Sequence, residues 1–364
     1  MDTESFELKV VDLVEETGDA RSISFEVPEG QEEHFTYKPG QFLTLAVPSD
    51  QTGVAARCYS LSSSPHDGGP LTVTVKRTED GYASNWICDN IKVGDTMRVL
   101  PPSGIFTPAS LDADLLLCAG GSGITPIMSI IRTVLSDGTG RIVLFYANRD
   151  ERSVIFADEL SALAAEHPDR LHVIHWLVSV QGLPTQQQMK AFLSGYLSWD
   201  VFVCGPAPFM KITIAAAKEL EFPRERRHQE KFISLGGNPF GDLHDIETAV
   251  GEITAADIDE DDAASDSAAA SRGPVKVEVE LDGETHVFDD WDSRTKLLDF
   301  LESKGVKAPY SCREGECSAC AIRLLEGEVT MLHNDVLDDD DLAEGIRLGC
   351  QSLPITDTVK VTYS

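Results

Sequence analysis

Cys312, Cys317, Cys320 and Cys350 form a C-x4-C-x2-C group completed by one distant cysteine. The other four cysteines, Cys58, Cys88, Cys118 and Cys204, are scattered. Clustered cysteines without a secretory leader point to metal rather than disulfides. The spacing suits a [2Fe–2S] cluster, since one tight loop supplies three thiolates and a distant strand the fourth. Gly315, Ser318 and Ala319 are small enough to let backbone N–H groups turn toward cluster sulfurs. Structural zinc is the rival reading, although zinc sites usually pair two short Cys-x2–4-Cys units.

Two further groups of residues suit nucleotides. Arg57-Cys58-Tyr59-Ser60 follows Pro39-Gly40-Gln41 and precedes Val73-Thr74-Val75-Lys76-Arg77 and Gly81-Tyr82-Ala83-Ser84. An arginine can grip a diphosphate with two hydrogen bonds, and an aromatic face suits a flat ring. Gly120-Gly121-Ser122-Gly123-Ile124-Thr125 lies between an apolar run and a helical pattern, where backbone amides and the helix dipole favour a pyrophosphate. Cys204-Gly205-Pro206 ends another apolar run some 80 residues later.

In order and spacing these motifs resemble the ferredoxin–NADP reductase superfamily. The resemblance implies that Arg57 pairs with the FAD pyrophosphate, Tyr59 stacks on the isoalloxazine and Ser60 bonds near N5. It also places Val75, Lys76 and Arg77 on the flavin's ribityl or adenosine side, and Gly81 and Ser84 at its pyrophosphate. Gly120, Gly121, Gly123 and Thr125 would hold the nicotinamide dinucleotide. Cys204, with Gly205 and Pro206, would lie beside the nicotinamide carbon that gives up hydride. Glu230 and Phe232 resemble the end of such a module, and Tyr59, Ser60 and Cys204 would serve the chemistry directly. The segment from Ala308 to Cys320, with Leu348-Gly349-Cys350-Gln351, resembles plant-type ferredoxins.

The elements that must carry these residues are readable in outline. Short β-rich runs at Leu8–Leu13, Ser22–Val27, Phe42–Val47, Leu71–Lys76 and Thr96–Val99 predict an antiparallel barrel over 1–110. Apolar runs at Leu115–Ala119, Ile142–Tyr146, Val173–Leu177 and Val201–Cys204, separated by helical stretches, predict a doubly wound α/β domain over 111–235. Its first helix would run from Pro126 to Leu135 with Thr125 as N-cap and Asp137-Gly138 as stop. Residues 236–273, rich in Ala, Asp, Glu and Ser, read as an acidic flexible linker. A hairpin at Val275–Leu281 and Thr285–Phe288, then a helix near Lys296–Lys304, open an α+β ferredoxin domain of the β-grasp type over 274–364.

The net charge of −31 argues against nucleic acid or an anionic membrane as partner, and suits a basic protein or simple solubility. The acidic Asp338–Asp341 stretch reads equally as a docking face or a solvated helix start. No apolar run approaches the ~20 residues of a membrane span, so a soluble cytoplasmic protein is expected. The domain order resembles the reductase components of multicomponent oxygenases. Longer strings, such as Arg57 to Pro65 and Pro309 to Cys317, resemble those serving a separate Rieske-type oxygenase of bacterial steroid degradation. The expected path runs from NADH through FAD and the cluster to that terminal oxygenase. NADH is favoured over NADPH because Asn148-Arg149-Asp150-Glu151-Arg152 mixes acids with arginines. Other acceptors are an epoxidase of phenylacetyl-CoA, a fatty-acid desaturase or an alkane hydroxylase. A redox sensor is the alternative of another class, and steady NADH-driven reduction of ferricyanide would separate the two.

Overall fold

A computed structural model describes residues 5–49, 53–79, 81–232, 240, 274–281, 283–306, 308–310, 313, 315, 318–334, 336–337 and 339–363. The expected linker at 236–273, apart from residue 240, lies outside the described residues. The chain divides into two compact units, Glu4–Leu235 and a second running from Gly236 to Ser364.

The first unit opens with strands β1 (Phe6–Thr17), β2 (Ala20–Glu26), β3 (Phe42–Ser49), β4 (Gly53–Ser60), β5 (Leu71–Lys76) and β6 (Thr96–Ser103), with helix α1 (Tyr82–Asn90) between the last two. Alternation builds this sheet: Phe6, Leu8 and Val10 are buried while Glu7 and Lys9 face water. The strand order is β4-β3-β6-β1-β2-β5, and Leu61 bridges back to Val73. The Ser62 N–H also donates to the Thr72 carbonyl at 2.8 Å. The two ends of the sheet therefore meet and close the expected barrel.

The same unit continues with β7 (Leu115–Gly120), α2 (Ile124–Asp137), β8 (Ile142–Asn148), α3 (Ala157–Glu166), β9 (Leu171–Leu177), α4 (Val178–Gln181), α5 (Gln186–Leu193), β10 (Asp200–Cys204), α6 (Ala207–Glu219) and β11 (Arg227–Glu230). All five strands pair in parallel, in the order β11-β10-β7-β8-β9. β7 and β8 are buried at every position, as strands covered by helices on both faces must be. The order reverses between β7 and β10, the switch point at which open α/β sheets bind ligands. Thr125 is not the N-cap of α2. A 3-10 turn at Gly121–Gly123 runs straight into the helix, so Gly123 caps it, and the Thr125 hydroxyl donates to the Ser122 carbonyl at 3.1 Å.

Barrel and parallel sheet are joined at Phe106, whose ring meets Phe202 edge-on at 5.2 Å. Phe202 stacks on His228 at 4.2 Å from its other side. Burial, and then Arg224, push His228 down to about 4, which keeps that ring neutral.

The second unit holds β12 (Val275–Leu281), β13 (Glu284–Trp291), α7 (Leu297–Ser303), β14 (Ala321–Glu326), β15 (Val329–Met331), α8 (Asp339–Ala343), β16 (Ile346–Leu348), β17 (Ser352–Pro354) and β18 (Thr358–Thr362). A mixed sheet, β13-β12-β18-β14-β16, sits beside a β15-β17 pair. Helix α7 buries Leu297, Leu298, Phe300 and Leu301, completing an α+β grasp fold. Among the described residues no helix is long and apolar enough to cross a membrane.

Truncating the ring that joins the two halves of the first unit, Phe202→Ala, should cost about 3–5 kcal/mol. A urea titration followed by far-UV circular dichroism checks this as a lowered first midpoint.

Candidate functional site

The glycine turn after β7 and the Cys-Gly-Pro turn after β10 are in direct backbone contact. A Cβ on Gly123 would collide with the Cys204 carbonyl, one on Gly205 would sit 2.9 Å from the Gly120 nitrogen, and one on Gly120 2.8 Å from the Pro206 ring. Gly121 (φ 52°) and Gly205 (φ 157°) also use backbone that L side chains avoid. The start of α2 thus faces a crevice lined by main chain, as a diphosphate requires. The buried Tyr146 hydroxyl, accepting from the Ile155 N–H at 3.2 Å and donating to the Gly121 carbonyl at 3.2 Å, braces the turn. Sequence reading missed this tyrosine because nothing in an apolar strand marks it.

Cys204 and Glu230 are register partners on β10 and β11, both buried. Burial, and then the Glu230 carboxylate, hold the Cys204 thiol well above its ordinary range, so it stays protonated. Burial pushes Glu230 up to about 8. Its Oε2 is buried and has no hydrogen-bond partner among the described residues. An orphaned carboxyl oxygen beside a neutral thiol at the switch point fits a site that a nicotinamide ring would complete. Phe232, two residues on, is half exposed.

On the barrel, the pleat of β4 puts Arg57 and Tyr59 on one face and Cys58 and Ser60 on the other. Cys58 lies opposite Thr44, 3.4 Å from its hydroxyl, so this departure from the usual motif does not touch the Arg57–Tyr59 face. The Arg57 guanidinium donates to the Ala56 carbonyl at 2.7 Å. Burial raises the Tyr59 phenol, leaving an uncharged ring. Gly81 is the N-cap of α1, and the Ser84 hydroxyl accepts from the Thr78 N–H at 3.0 Å, which folds the turn before the helix. The Tyr82 hydroxyl donates to the Pro48 carbonyl at 2.7 Å and holds α1 against the β3–β4 hairpin. Val75 is buried in the barrel. Arg77 pairs with Asp89 at 2.7 Å. An arginine, an aromatic face and a helix start on one side of the barrel fit FAD.

Asp19 is a second residue that sequence reading missed. Its carboxylate lies 2.9 Å from Arg149, at the end of β8, and 3.7 Å from Lys76. Lys76 in turn reaches over Gly121, where an added Cβ would be 3.9 Å from its ammonium. The Asp150 carboxylate accepts from the Arg152 and Ser153 N–H groups. The acids and arginines after β8 are thus engaged locally and with the barrel.

In the second unit, β14 and β16 bring Cys320 and Cys350 together. Ala321 pairs with Leu348, and the Gly349 N–H donates to the Cys320 carbonyl at 2.9 Å. Both cysteines are buried. The Gln351 amide donates to the Cys350 sulfur at 3.8 Å and to the Arg313 carbonyl at 2.6 Å. Gly315 takes φ 82°, where a Cβ would press on the His333 carbonyl. Cys312 and Cys317 lie outside the described residues. Two buried soft donors from separate segments, one with an N–H on its sulfur, fit an iron–sulfur cluster.

Three family models match the chain: an oxidoreductase FAD-binding domain over residues 7–107, an oxidoreductase NAD-binding domain over 117–214, and a 2Fe-2S iron-sulfur cluster binding domain over 279–354. The phthalate dioxygenase reductase structure, 23% identical, covers 98% of each chain with a TM-score of 0.55 and shares the fold. Together these define an oxidoreductase built to pass electrons from a nicotinamide through FAD to a [2Fe–2S] cluster, as the reductase component of a monooxygenase system. The 3-ketosteroid-9-alpha-monooxygenase ferredoxin reductase component of Rhodococcus rhodochrous is 52% identical over 98% of this chain and 96% of its own. The 1,2-phenylacetyl-CoA epoxidase of Escherichia coli has a component that is 31% identical over 98% of this chain and 97% of its own. The chain belongs to the family of 3-ketosteroid-9-alpha-monooxygenase ferredoxin reductase components.

Glu230 makes stability depend on pH. Between its ordinary value of 4.5 and about 8 the unfolded chain has lost this proton while the native chain keeps it. The unfolded state then binds fewer protons, so this residue's contribution falls as pH rises through that window. Glu230→Gln should therefore gain thermal stability over the parent progressively from about pH 5 to pH 8, read as the difference between their unfolding temperatures. Parallel profiles would contradict the buried, unpaired carboxyl.

Proposed function

We propose that this reductase prefers NADH and serves a Rieske-type oxygenase that hydroxylates 3-ketosteroids at the 9α position. The observation that carries the reading is whole-length identity of 52% to a reductase component named for that reaction, against 31% for the epoxidase component. When bound, NADH supplies a hydride, FAD releases the electron pair one at a time, and the cluster carries single electrons onward.

The chain's own residues prepare each step. The amides of Gly120, Gly121 and Gly123 and the start of α2, with Thr125, receive the dinucleotide's pyrophosphate. Gly205 and Pro206 fix the turn that would hold the Cys204 thiol beside the nicotinamide ring, with the buried Glu230 carboxyl next to it. Arg57, Gly81 and Ser84 would hold the flavin diphosphate, Tyr59 and Phe232 would cover its ring, and Ser60 would offer it a hydroxyl. Val75, Lys76 and Arg77, at and just after the end of β5, would face its ribityl or adenosine side. Cys312, Cys317, Cys320 and Cys350 ligate the two irons. We assign the barrel to 1–110, the nucleotide domain to 111–235 and the cluster domain to 274–364. We place the protein in the cytoplasm, whose reducing conditions suit a cysteine-ligated cluster.

Preference for NADH is assigned to Asp19. A 2′-phosphate needs unopposed positive charge near the end of β8. Asp19 draws Arg149 and Lys76 to itself and adds an anion of its own. Asp19→Asn should raise kcat/KM for NADPH relative to NADH about five- to tenfold, measured as ferricyanide reduction. An unchanged ratio would remove Asp19 from the explanation.

The acceptor is tested by reconstitution. The purified chain, NADH, oxygen and the oxygenase component of a 3-ketosteroid 9α-hydroxylase should yield the 9α-hydroxylated steroid. Turnover with the other epoxidase components and none with the steroid oxygenase would overturn the assignment.

A further inference from the structure

One buried side chain beside the nucleotide crevice has neither of its polar atoms paired. Asn148 is the last residue of β8 and is 4% exposed. Its Oδ1 and Nδ2 are both buried, and neither has a hydrogen-bond partner among the described residues. Leucine would fill similar space without the cost of an unpaired amide. A carboxamide kept here calls for a partner that is not part of the polypeptide.

Its position says where that partner lies. β7 and β8 pair from Leu115–Ile142 to Gly120–Ala147, so Asn148 stands one step beyond the last pair, where the facing chain turns away at Gly121. Strand alternation puts Asn148 on the same face as Tyr146, two residues earlier. That face carries the glycine turn, because the Tyr146 hydroxyl donates to the Gly121 carbonyl at 3.2 Å. After burial, the Asn148 amide is the neighbour that acts most on the Tyr146 phenol, which places the two side by side. The phenol oxygen is held by Gly121 and by the Ile155 N–H, and the amide does not reach hydrogen-bond geometry with it. From the barrel, the Lys76 ammonium reaches over Gly121. The turn thus has a cation above it and a free amide beside it.

The amide's chemistry narrows the ligand. It offers N–H donors and an accepting oxygen, and both need a partner. A bare diphosphate satisfies only the nitrogen. A phosphorylated ribose presents acceptors on its phosphate and donors on its hydroxyls within one unit. We propose that the Asn148 carboxamide binds a ribose-phosphate unit of the nicotinamide dinucleotide, Nδ2 donating to a phosphate oxygen and Oδ1 accepting from a ribose hydroxyl. The inference rests on the reading that this crevice takes the dinucleotide, and it adds one side chain to a cradle otherwise made of main chain. Asn148 is a binding and positioning residue and takes part in no bond-making step.

The test uses the full chain with its flavin and cluster, and compares the parent with Asn148→Leu. The probe is ADP-ribose, which has both ribose-phosphate units and no nicotinamide, titrated by calorimetry. The variant's Kd for ADP-ribose should rise about tenfold. Its KM for NADH should rise by a similar factor with kcat for ferricyanide held, and its unfolding temperature without ligand should not fall. Unchanged ADP-ribose affinity overturns the proposal, and is the result expected if a buried water alone pairs the amide. A lowered unfolding temperature with unchanged affinity overturns it too, since the amide would then serve the fold. Should the leucine variant fail to fold, Asn148→Ala is read by the same criteria. A parent chain that neither binds ADP-ribose nor is reduced by NADH would instead sink the dinucleotide reading itself, a result separable from a failure of Asn148 alone.

Discussion

Two turns of main chain touching at the middle of a parallel sheet constrain everything around the nucleotide crevice. Gly123 and Cys204 meet with no room for a side chain, and Gly120 and Gly205 meet likewise. Because β7 and β10 are locked in parallel register from Leu115 to Ala119, neither turn can retreat without breaking a buried ladder. The contact fixes where α2 begins, where the Cys204 thiol stands, and through β11 where the Glu230 carboxyl is buried. A thiol and a carboxyl that are both neutral at neutral pH then lie side by side behind the two turns. Burial is the main cause of that neutrality in both, with the Glu230 carboxylate a second cause for the thiol.

The electrostatics outside the crevice follow a different rule. The chain carries a net charge of −31, yet the cations nearest the glycine turn are engaged by a single carboxylate, Asp19. The barrel thereby supplies charge to the nucleotide domain across the joint that Phe106 and Phe202 make. Charge at the glycine turn and the packing of the two halves therefore both depend on residues far apart in sequence. In the cluster domain the described contacts are local: the Gly349 N–H bonds the Cys320 carbonyl and the Gln351 amide donates to the Cys350 sulfur.

Much of this was legible in the residues. The cysteine spacing, the apolar runs of the parallel sheet and the two glycine turns are local signals, because one element with its own turn carries each of them. Helix α2 was misplaced at its start, since a 3-10 turn without a polar cap leaves no mark that distinguishes Gly123 from Thr125. The short strand β11 was missed because Arg227–Glu230 is polar in sequence and becomes a strand only by pairing with β10. Asp19 and Tyr146 were invisible for the same reason. Each matters through a partner that only the folded chain brings near.

The central claim is that electrons from a nicotinamide reach a diiron centre held by this same polypeptide. Anaerobic titration of the purified full-length chain with NADH, followed by visible absorption and low-temperature electron paramagnetic resonance, tests it most directly. The account predicts that the flavin bands bleach and that the rhombic signal of one reduced [2Fe–2S] centre per chain grows with added NADH. A chain whose flavin bleaches while no such signal appears, even with dithionite, would contradict it.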